Sequence, residues 1–495
     1  MLDRCCIEIG ITTSGASVGL VPPIQFYKKN ENMALEEQLV IINDPSLEDE
    51  LLLGVIRNVT KLEPLIRDRV RSPFVDRPEV LDQTILMPFT SAMVRLYAAL
   101  KPSTKSVLEV RHVPTPGSKV FVIRDGKFLN DYVKPNLSIH VGNHKYSGWP
   151  INLDASFANQ HIGIFGATGV GKSRLVKVLV EELIRVGKHV IIFDHSGVDY
   201  TPYFKDRVIT SKEISISPPT IASVIAEKAR LNWQTFGEYL EVAVITYVSS
   251  DKKMKKQQSA QLLDPQLDNQ SRQVGQPVKW EKMSFIRHLV DSMRGLGARD
   301  STVEKARLFI DYFIENEFFE ELNRRSLSPM DIINRALSSS LVTIDLSLDP
   351  ELVVKQAIVA DVIDAAWRLV KASKSPLDLV FVIDEAQNYV PENEWTICGD
   401  AIETTAREGR KWGGLSLITA SQRITRDIRA SIRANLGTIF FSRLSAQGDL
   451  REIAAYMDLA DVSEATLAQL GTREFFVAGL MNPLRKPILI KVRET

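Results

Sequence analysis

GATGVGKS, at residues 166–173, is the most informative motif of the sequence. It fits a pattern in which Gly is followed by four residues and then by Gly, Lys and Ser. The glycines let the backbone turn tightly enough for its N–H groups to surround phosphate oxygens, and a helix that starts there points its positive dipole end at the anion. The pattern therefore predicts a phosphate-binding loop, or P-loop, between a strand and a helix.

The residues on either side favour a P-loop over an ordinary Gly-rich turn. The apolar stretch 161–165 precedes the loop, and a helical stretch over 173–186 follows it and ends at Gly187. Lys172 is expected to reach the β and γ phosphates of ATP, and the Ser173 hydroxyl to bind Mg²⁺. The residues predicted to bind nucleotide are Gly166, Thr168, Gly169, Val170, Gly171, Lys172, Ser173 and Arg174.

A second motif adds the chemistry of hydrolysis. The apolar stretch 379–383 ends in the two carboxylates Asp384 and Glu385. Such a strand alone is unremarkable, but beside a P-loop it predicts a magnesium and water site. Asp384 is expected to hold the hydration shell of Mg²⁺, and Glu385 to polarise the water that attacks the γ-phosphate.

Two further residues are candidates for catalysis. Gln422 follows the apolar strand 415–421, where a polar side chain could sense the γ-phosphate, although a terminal Gln alone is more often a surface residue. Arg410 lies in a basic stretch before that strand and could stabilise phosphoryl charge in a neighbouring subunit. The alternative for Arg410 is an ordinary helix end, where basic residues face the negative end of the dipole.

The hydrophobic pattern divides the chain into parts. Residues 1–150 show short apolar runs separated by turn residues, which predict a small N-terminal β-barrel or sandwich. Residues 151–478 follow a strand, helix, strand order typical of an α/β parallel sheet, with a helical insertion at about 216–335. Residues 479–495 are predicted to form a basic β-arm on a neighbouring subunit.

Composition restricts the class of protein but not its partner. The 495 residues include 61 basic and 61 acidic residues, so net charge gives no sign of a nucleic-acid ligand. Cys5, Cys6 and Cys398 are too few and too scattered to predict disulfides or a zinc site. No apolar run approaches the roughly 20 residues of a membrane span, and the first residues lack a signal-peptide pattern. We expect a cytoplasmic protein without a membrane contact.

A polar, Gln-rich stretch over 251–279 is predicted to be a mobile loop. It opens with a basic cluster, and such clusters are usually solvated faces. In a ring they could instead contact DNA phosphate. The candidate DNA-binding residues are Lys252, Lys253, Lys255 and Lys256.

From Ala155 onward the sequence resembles the HerA family of hexameric DNA translocases, which is related to FtsK. The general P-loop and Asp-Glu motifs contribute to the likeness. Its most specific part is the combination of Ala406–Lys411 with Ser421–Arg423. The matching blocks are Ser156–Ala158, Gly166–Ser173, Val382–Ala386, Ala406–Lys411 and Ser421–Arg423.

The resemblance implies more than the residues alone. It implies a RecA-like ATPase core after a β-barrel, a C-terminal arm that braces the adjacent subunit, and a hexamer that moves double-stranded DNA with the nuclease NurA in end processing. By the same resemblance, Arg410 becomes the expected trans-acting arginine.

The sequence also departs from this family. Gln160 stands where the family often has Arg, and an insertion displaces the acidic residue after Asp194. These differences suggest a divergent paralogue whose effector need not be NurA. Two alternatives remain: a related conjugation or secretion motor, and an oligomeric scaffold that is switched by nucleotide and recruits an effector, for example in defence.

Overall fold

The computed structural model describes residues 2–14, 20–63, 88–260, 279–412, 414–446 and 448–494. The fold is α/β, and the chain divides into two units. The first unit contains residues 1–158, 164–186 and 437–495, and the second contains 159–163 and 187–436. Strand β10 (Ile162–Phe165) therefore has two residues in each unit.

The N-terminal part of the first unit is an antiparallel sheet. Helix α1 (Leu2–Cys5) precedes it, and its strands are β1 (Cys6–Thr12), β2 (Pro23–Phe26), β3 (Leu39–Asn43), β4 (Leu51–Leu62), β5 (Phe89–Lys101), β6 (Ser106–Leu108) and β7 (Lys119–Ile123). The strand order is β2-β1-β7-β3-β4-β5-β6, and β2 also pairs with β5. The pairing thus returns from β5 to β2.

Alternating apolar side chains give this sheet its core. In β5, for example, buried and half-buried residues alternate along the first half of the strand, as expected where one face packs inward. The packed cluster includes Ile9, Ile24, Val40, Val94 and Val122, all nearly or fully buried. The short apolar runs up to residue 123 are therefore strands of a single sheet, whereas the run that begins near residue 138 forms a strand of the other sheet.

A second set of antiparallel strands completes the first unit. Its order is β16 (Thr438–Phe441), β17 (Glu474–Gly479), β18 (Ile488–Val492), β8 (Ser138–His144) and β9 (Pro150–Asp154). Helices α2 (Lys172–Arg185), α12 (Asp449–Tyr456) and α13 (Glu464–Ala468) also belong to this unit. The C-terminal strand β18 pairs with strands of its own chain, and the contact of 479–495 with a neighbouring subunit stays a prediction.

A buried ion pair links the N-terminal sheet to the C-terminal segment of the same unit. Arg57 Nε lies 3.0 Å from Glu37 Oε1, and both side chains are buried. Arg57 Nη1 also donates to the Leu459 carbonyl at 3.4 Å, and the Tyr97 hydroxyl donates to the Pro487 carbonyl at 2.7 Å. Burial raises the pKa of Glu37, while the Arg57 guanidinium opposes that rise.

The second unit is built on parallel strands. In order across the sheet they are β12 (Val208–Thr210), β13 (Leu341–Asp345), β11 (His189–Asp194), β14 (Leu379–Ile383) and β15 (Leu415–Ser421), followed by β10. Strands β11, β14 and β15 are almost continuously apolar and buried, as strands covered on both faces must be. Their carboxyl ends carry Asp194, Asp384 and Gln422.

Between β12 and β13 the described chain is mostly helical. The helices are α3 (Pro218–Lys228), α4 (Trp233–Ala260), α5 (Lys282–Gly295), α6 (Asp300–Phe313), α7 (Asn316–Arg324) and α8 (Pro329–Ser339). Helices α9 (Leu352–Ser373), α10 (Gly399–Trp412) and α11 (Ala430–Arg433) follow later in the chain.

The prediction of a mobile loop over 251–279 is wrong for its first ten residues. Residues 251–260 continue helix α4 because their Lys, Gln and Ala residues are good helix formers despite their polarity. The rest of the predicted loop, 261–278, lies outside the described residues. The side chains of Lys252, Lys253, Lys255 and Lys256 also lie outside what the structure describes.

No helix in the described ranges is long and apolar enough to cross a membrane.

Candidate nucleotide site

The loop 166–173 lies between β10 and α2, as its sequence predicts. Gly169 and Gly171 have φ values of 78° and 101°, which lie in the left-handed region that favours glycine. Gly171 caps helix α2, and the Leu175 amide donates to the Gly171 carbonyl at 3.1 Å. The two glycines therefore produce the turn that leads the chain into the helix.

The hydrogen bonds within this loop leave it able to accept an anion. Lys172 Nζ donates to the carbonyls of Gly166 at 2.8 Å and Ala167 at 3.3 Å. Within the described residues, nothing accepts a hydrogen bond from the backbone amides of Thr168, Gly169 or Gly171. Free amides at the start of a helix fit a phosphate group.

Two segments of the first unit hold the loop in place. The Ala167 amide donates to the Arg443 carbonyl at 2.7 Å, just after β16. The Arg473 amide donates to the carbonyl of buried Val170 at 2.7 Å, just before β17. Arg473 Nη1 also lies 2.9 Å from Glu494 Oε1. Arg473, with a φ of 67°, is thus a contact of the loop that the sequence pattern did not predict.

The second unit holds the acidic motif. Asp384 follows β14 and is buried, and burial raises its pKa to about 6, with a further increase from the Glu385 carboxylate. The Glu385 amide donates to Asp384 Oδ1 at 2.9 Å. The nearby Tyr200 side chain lowers the pKa of the Asp384 carboxylate and so opposes this rise. A buried carboxylate next to a second carboxylate offers oxygen ligands that suit Mg²⁺.

Glu385 has an unusual conformation and an unusual partner. Its φ and ψ are both 50°, a left-handed conformation that costs about 1–2 kcal/mol for a residue with a side chain. Gln387 Nε2 donates a hydrogen bond to Glu385 Oε2. Gln387 Oε1 is buried with no hydrogen-bond partner within the described part of the chain. An unpaired buried oxygen of this kind costs about 1–3 kcal/mol.

Asp194 organises the loop that follows β11. Its carboxylate accepts hydrogen bonds from the amides of Gly197 at 3.0 Å, Tyr200 at 3.0 Å and Thr201 at 2.9 Å. The Thr201 hydroxyl donates to it as well, at 2.9 Å. These bonds fold the inserted residues after Asp194 into a compact turn, which brings Tyr200 to Asp384.

A half-buried histidine and a buried lysine lie at the same edge of the sheet. His195 Nδ1 is 2.9 Å from the Tyr389 hydroxyl, and Lys355 Nζ donates to the His195 carbonyl at 3.0 Å. The pKa of His195 is lowered chiefly by burial and then by the charge of Lys355, while the Glu385 carboxylate opposes this shift. Burial and the Lys355 charge therefore favour the neutral form of His195.

Gln422 lies where its strand predicts. Strand β15 is the parallel neighbour of β14, and Thr419 is in register with Ile383, the residue before Asp384. Gln422 follows β15 directly and is half-buried. The carboxyl ends of β14 and β15 thus bring Gln422 to the edge of the sheet that carries Asp384 and Glu385.

Arg410 lies elsewhere, on an exposed part of helix α10. Its Nη1 donates to Gln160 Oε1 at 3.2 Å. Gly409 allows the helix to approach the sheet, because a Cβ atom at this position would lie 2.4 Å from the Leu415 carbonyl oxygen. The structure therefore does not bring Arg410 to Glu385 within this chain, and its trans role stays a prediction.

His161 fastens α10 to the sheet. His161 Nδ1 accepts from the Leu417 amide at 3.1 Å, and the ring also hydrogen-bonds to the Ala406 backbone. Burial lowers the pKa of His161 to about 4, so the ring is neutral at pH 7. Because α10 carries Arg410, His161 helps to set the position of that arginine.

Sequence reasoning missed several residues of this site. Tyr200, His195, Lys355 and Arg473 come from segments with no motif, and only the fold brings them to their partners. Gln387 could have been found from the sequence, because it is a polar residue two positions after Glu385 and close to the end of a predicted catalytic strand.

Comparison with known proteins agrees with this arrangement of motifs. The model of the family described as Helicase HerA, central domain, matches residues 139–366. A DNA double-strand break repair helicase HerA of Sulfolobus acidocaldarius is 22% identical over 466 residues, covering 90% of this chain and 86% of the relative. The chain is therefore similar to the HerA family. Together with the P-loop and the Asp-Glu pair, this likeness identifies it as an ATP-hydrolysing enzyme.

Other matches agree and show how far the chain has diverged. The HerA protein of Saccharolobus solfataricus is 23% identical and covers 89% of this chain and 84% of its own. The structure of VirB4 of Thermoanaerobacter pseudethanolicus is 18% identical with a TM-score of 0.53, and it covers 73% of this chain and 98% of its own. The low identities show that this chain has diverged far from these HerA proteins, and the VirB4 match shows a shared fold.

Proposed function

We propose that this protein is an ATP-driven ring motor that translocates or unwinds double-stranded DNA. The observation that carries the proposal is the combination of the P-loop, the Asp384–Glu385 pair and the Arg410 helix in a chain related to DNA repair helicases over 90% of its length. A hexamer is the assembly that the family resemblance implies.

The proposed roles follow from the chemistry of each residue. Gly166, Thr168, Gly169, Val170, Gly171 and Arg174 form the nucleotide-binding set together with Lys172 and Ser173. Lys172 neutralises phosphate charge, and Glu385 orients and polarises the attacking water. Gln422 senses the γ-phosphate. Arg410 stabilises transferring phosphoryl charge in the neighbouring subunit.

Mg²⁺ suits the residues present. Ser173 offers a hydroxyl at the start of α2, and Asp384 offers a buried carboxylate beside Glu385. These two residues would hold the ion, which supplies charge neutralisation for the phosphates when it is bound with ATP.

The N-terminal sheet supports a further part of the proposal. Because β2 pairs with both β1 and β5, the strand order returns to its starting point. We read this sheet as the small β-barrel predicted from the sequence. The Lys252–Lys256 cluster remains the sequence-based candidate for DNA contact.

A partner nuclease, NurA or another effector, completes the proposal for DNA end processing. It follows from the resemblance and from the repair helicases to which the chain is similar. Co-purification with a nuclease made in the same cells tests this part separately from the motor.

The rate of ATP hydrolysis tests the enzyme directly. Purified protein is assayed with and without linear double-stranded DNA, beside the Glu385→Gln variant. We expect DNA to stimulate turnover and the variant to lose it, because the amide cannot accept a proton from water. Slow turnover with no response to DNA would contradict the motor and favour the scaffold alternative.

A further inference from the structure

We infer that Gln387 is a positioning residue for the catalytic glutamate and holds the Glu385 carboxylate toward the attacking water. This inference rests on the proposed role of Glu385 in ATP hydrolysis. It assigns a function to a residue outside the P-loop and the Asp-Glu pair.

The hydrogen bond between the two side chains is the first observation. Gln387 Nε2 donates to Glu385 Oε2, so one carboxylate oxygen is fixed by an amide two residues away. Glu385 begins the short 3₁₀ helix Ala386–Asn388 in a left-handed conformation. A glutamate with this backbone and one fixed oxygen has few orientations, and its other oxygen remains to accept a proton.

The second observation is that this bond leaves Gln387 itself poorly satisfied. Its Oε1 is buried and has no hydrogen-bond partner in the part of the chain that is described. An apolar side chain of similar size would avoid an unpaired buried oxygen. The Gln387 amide therefore does not stabilise the fold. What it provides, and a methionine at this position would not, is the hydrogen bond to Glu385.

The third observation is that hydrogen bonds anchor the residues that follow Gln387. Gln356 Nε2 donates to the Asn388 carbonyl at 2.8 Å, and the Thr396 hydroxyl donates to the Tyr389 carbonyl at 2.5 Å. The Tyr389 hydroxyl is also 2.9 Å from His195 Nδ1. Because the next two residues are anchored, the Gln387 amide is presented to Glu385 from a fixed point, as a positioning residue requires.

The test compares hydrolysis with stability in the full chain. Gln387→Met removes the donor and nearly keeps the volume. We expect kcat to fall about ten-fold or more, KM for ATP to stay within about two-fold, and the melting temperature to be unchanged or higher. Gln387→Glu, which replaces the donor by a second carboxylate, should lower kcat at least as much. Gln469→Met, on the exposed surface, is the matched control.

Each contrary result has a distinct meaning. A wild-type kcat in Gln387→Met would overturn the inference while leaving Glu385 intact as the catalytic residue. A fall in kcat together with a lower melting temperature and weaker ATP binding would assign Gln387 a structural role and also overturn it. A wild-type chain that hydrolyses ATP no faster than Glu385→Gln would overturn the proposed function, and this inference with it.

Discussion

Replacing Gly409 by alanine should separate helix α10 from the sheet and disturb the predicted trans arginine. The added Cβ atom would lie 2.4 Å from the Leu415 carbonyl oxygen, whereas an ordinary contact begins at 3.4 Å, so the helix must move by about 1 Å. Overpacking of this kind costs about 1–3 kcal/mol. A displacement of about 1 Å can lower kcat by about a hundred-fold.

The experiment measures unfolding and ATP hydrolysis for Gly409→Ala beside a matched variant. Gly295→Ala is the control, because a Cβ atom at that position, at the end of helix α5, would meet nothing within 4 Å. We expect lower stability and a lower kcat with unchanged ATP binding for Gly409→Ala, and near wild-type behaviour for Gly295→Ala. Wild-type stability and kcat in Gly409→Ala would refute the reasoning about α10.

Three further predictions concern pH, stability and the assembly. Because burial lowers the folded pKa of His161 to about 4 from the usual 6.5, the unfolded chain binds more protons below pH 6.5. Stability should then fall by about 3 kcal/mol between pH 6.5 and 4, and His161→Asn should flatten this loss in chemical unfolding at several pH values. Arg57→Ala leaves the Glu37 carboxylate buried without its partner and should lower the free energy of unfolding by about 3–5 kcal/mol, whereas Lys105→Ala at an exposed pair should stay near wild type. Arg410→Ala should lower kcat by about a thousand-fold and, when mixed with wild-type subunits, should reduce their activity as well. Additive rates in such mixtures would contradict a trans role.

The sequence was most informative where the spacing of motif residues and the chemistry of their side chains point to the same site. The P-loop residues 166–173 and the pair Asp384–Glu385 lie at strand ends, as predicted, because continuous apolar runs flanked by glycine or carboxylates have few other structures. The helices between β12 and β13 follow from their 3.6-residue periodicity in the same way.

The contacts around these motifs could not be predicted from the sequence, because only the fold brings the residues together. Asp194 accepts five hydrogen bonds from a loop with no fixed spacing, and the Arg473 amide donates to Val170 from a segment 303 positions later in the chain. The polar residues 251–260 were mistaken for loop because polarity alone does not separate an exposed helix from a loop.

Displacement of a DNA triplex tests the central claim most directly. A third strand annealed to linear double-stranded DNA is released only by a motor that moves along the duplex. We expect release of the third strand that requires ATP and is lost in both Lys172→Ala and Glu385→Gln. ATP hydrolysis by the wild-type protein without any release of the third strand would contradict translocation.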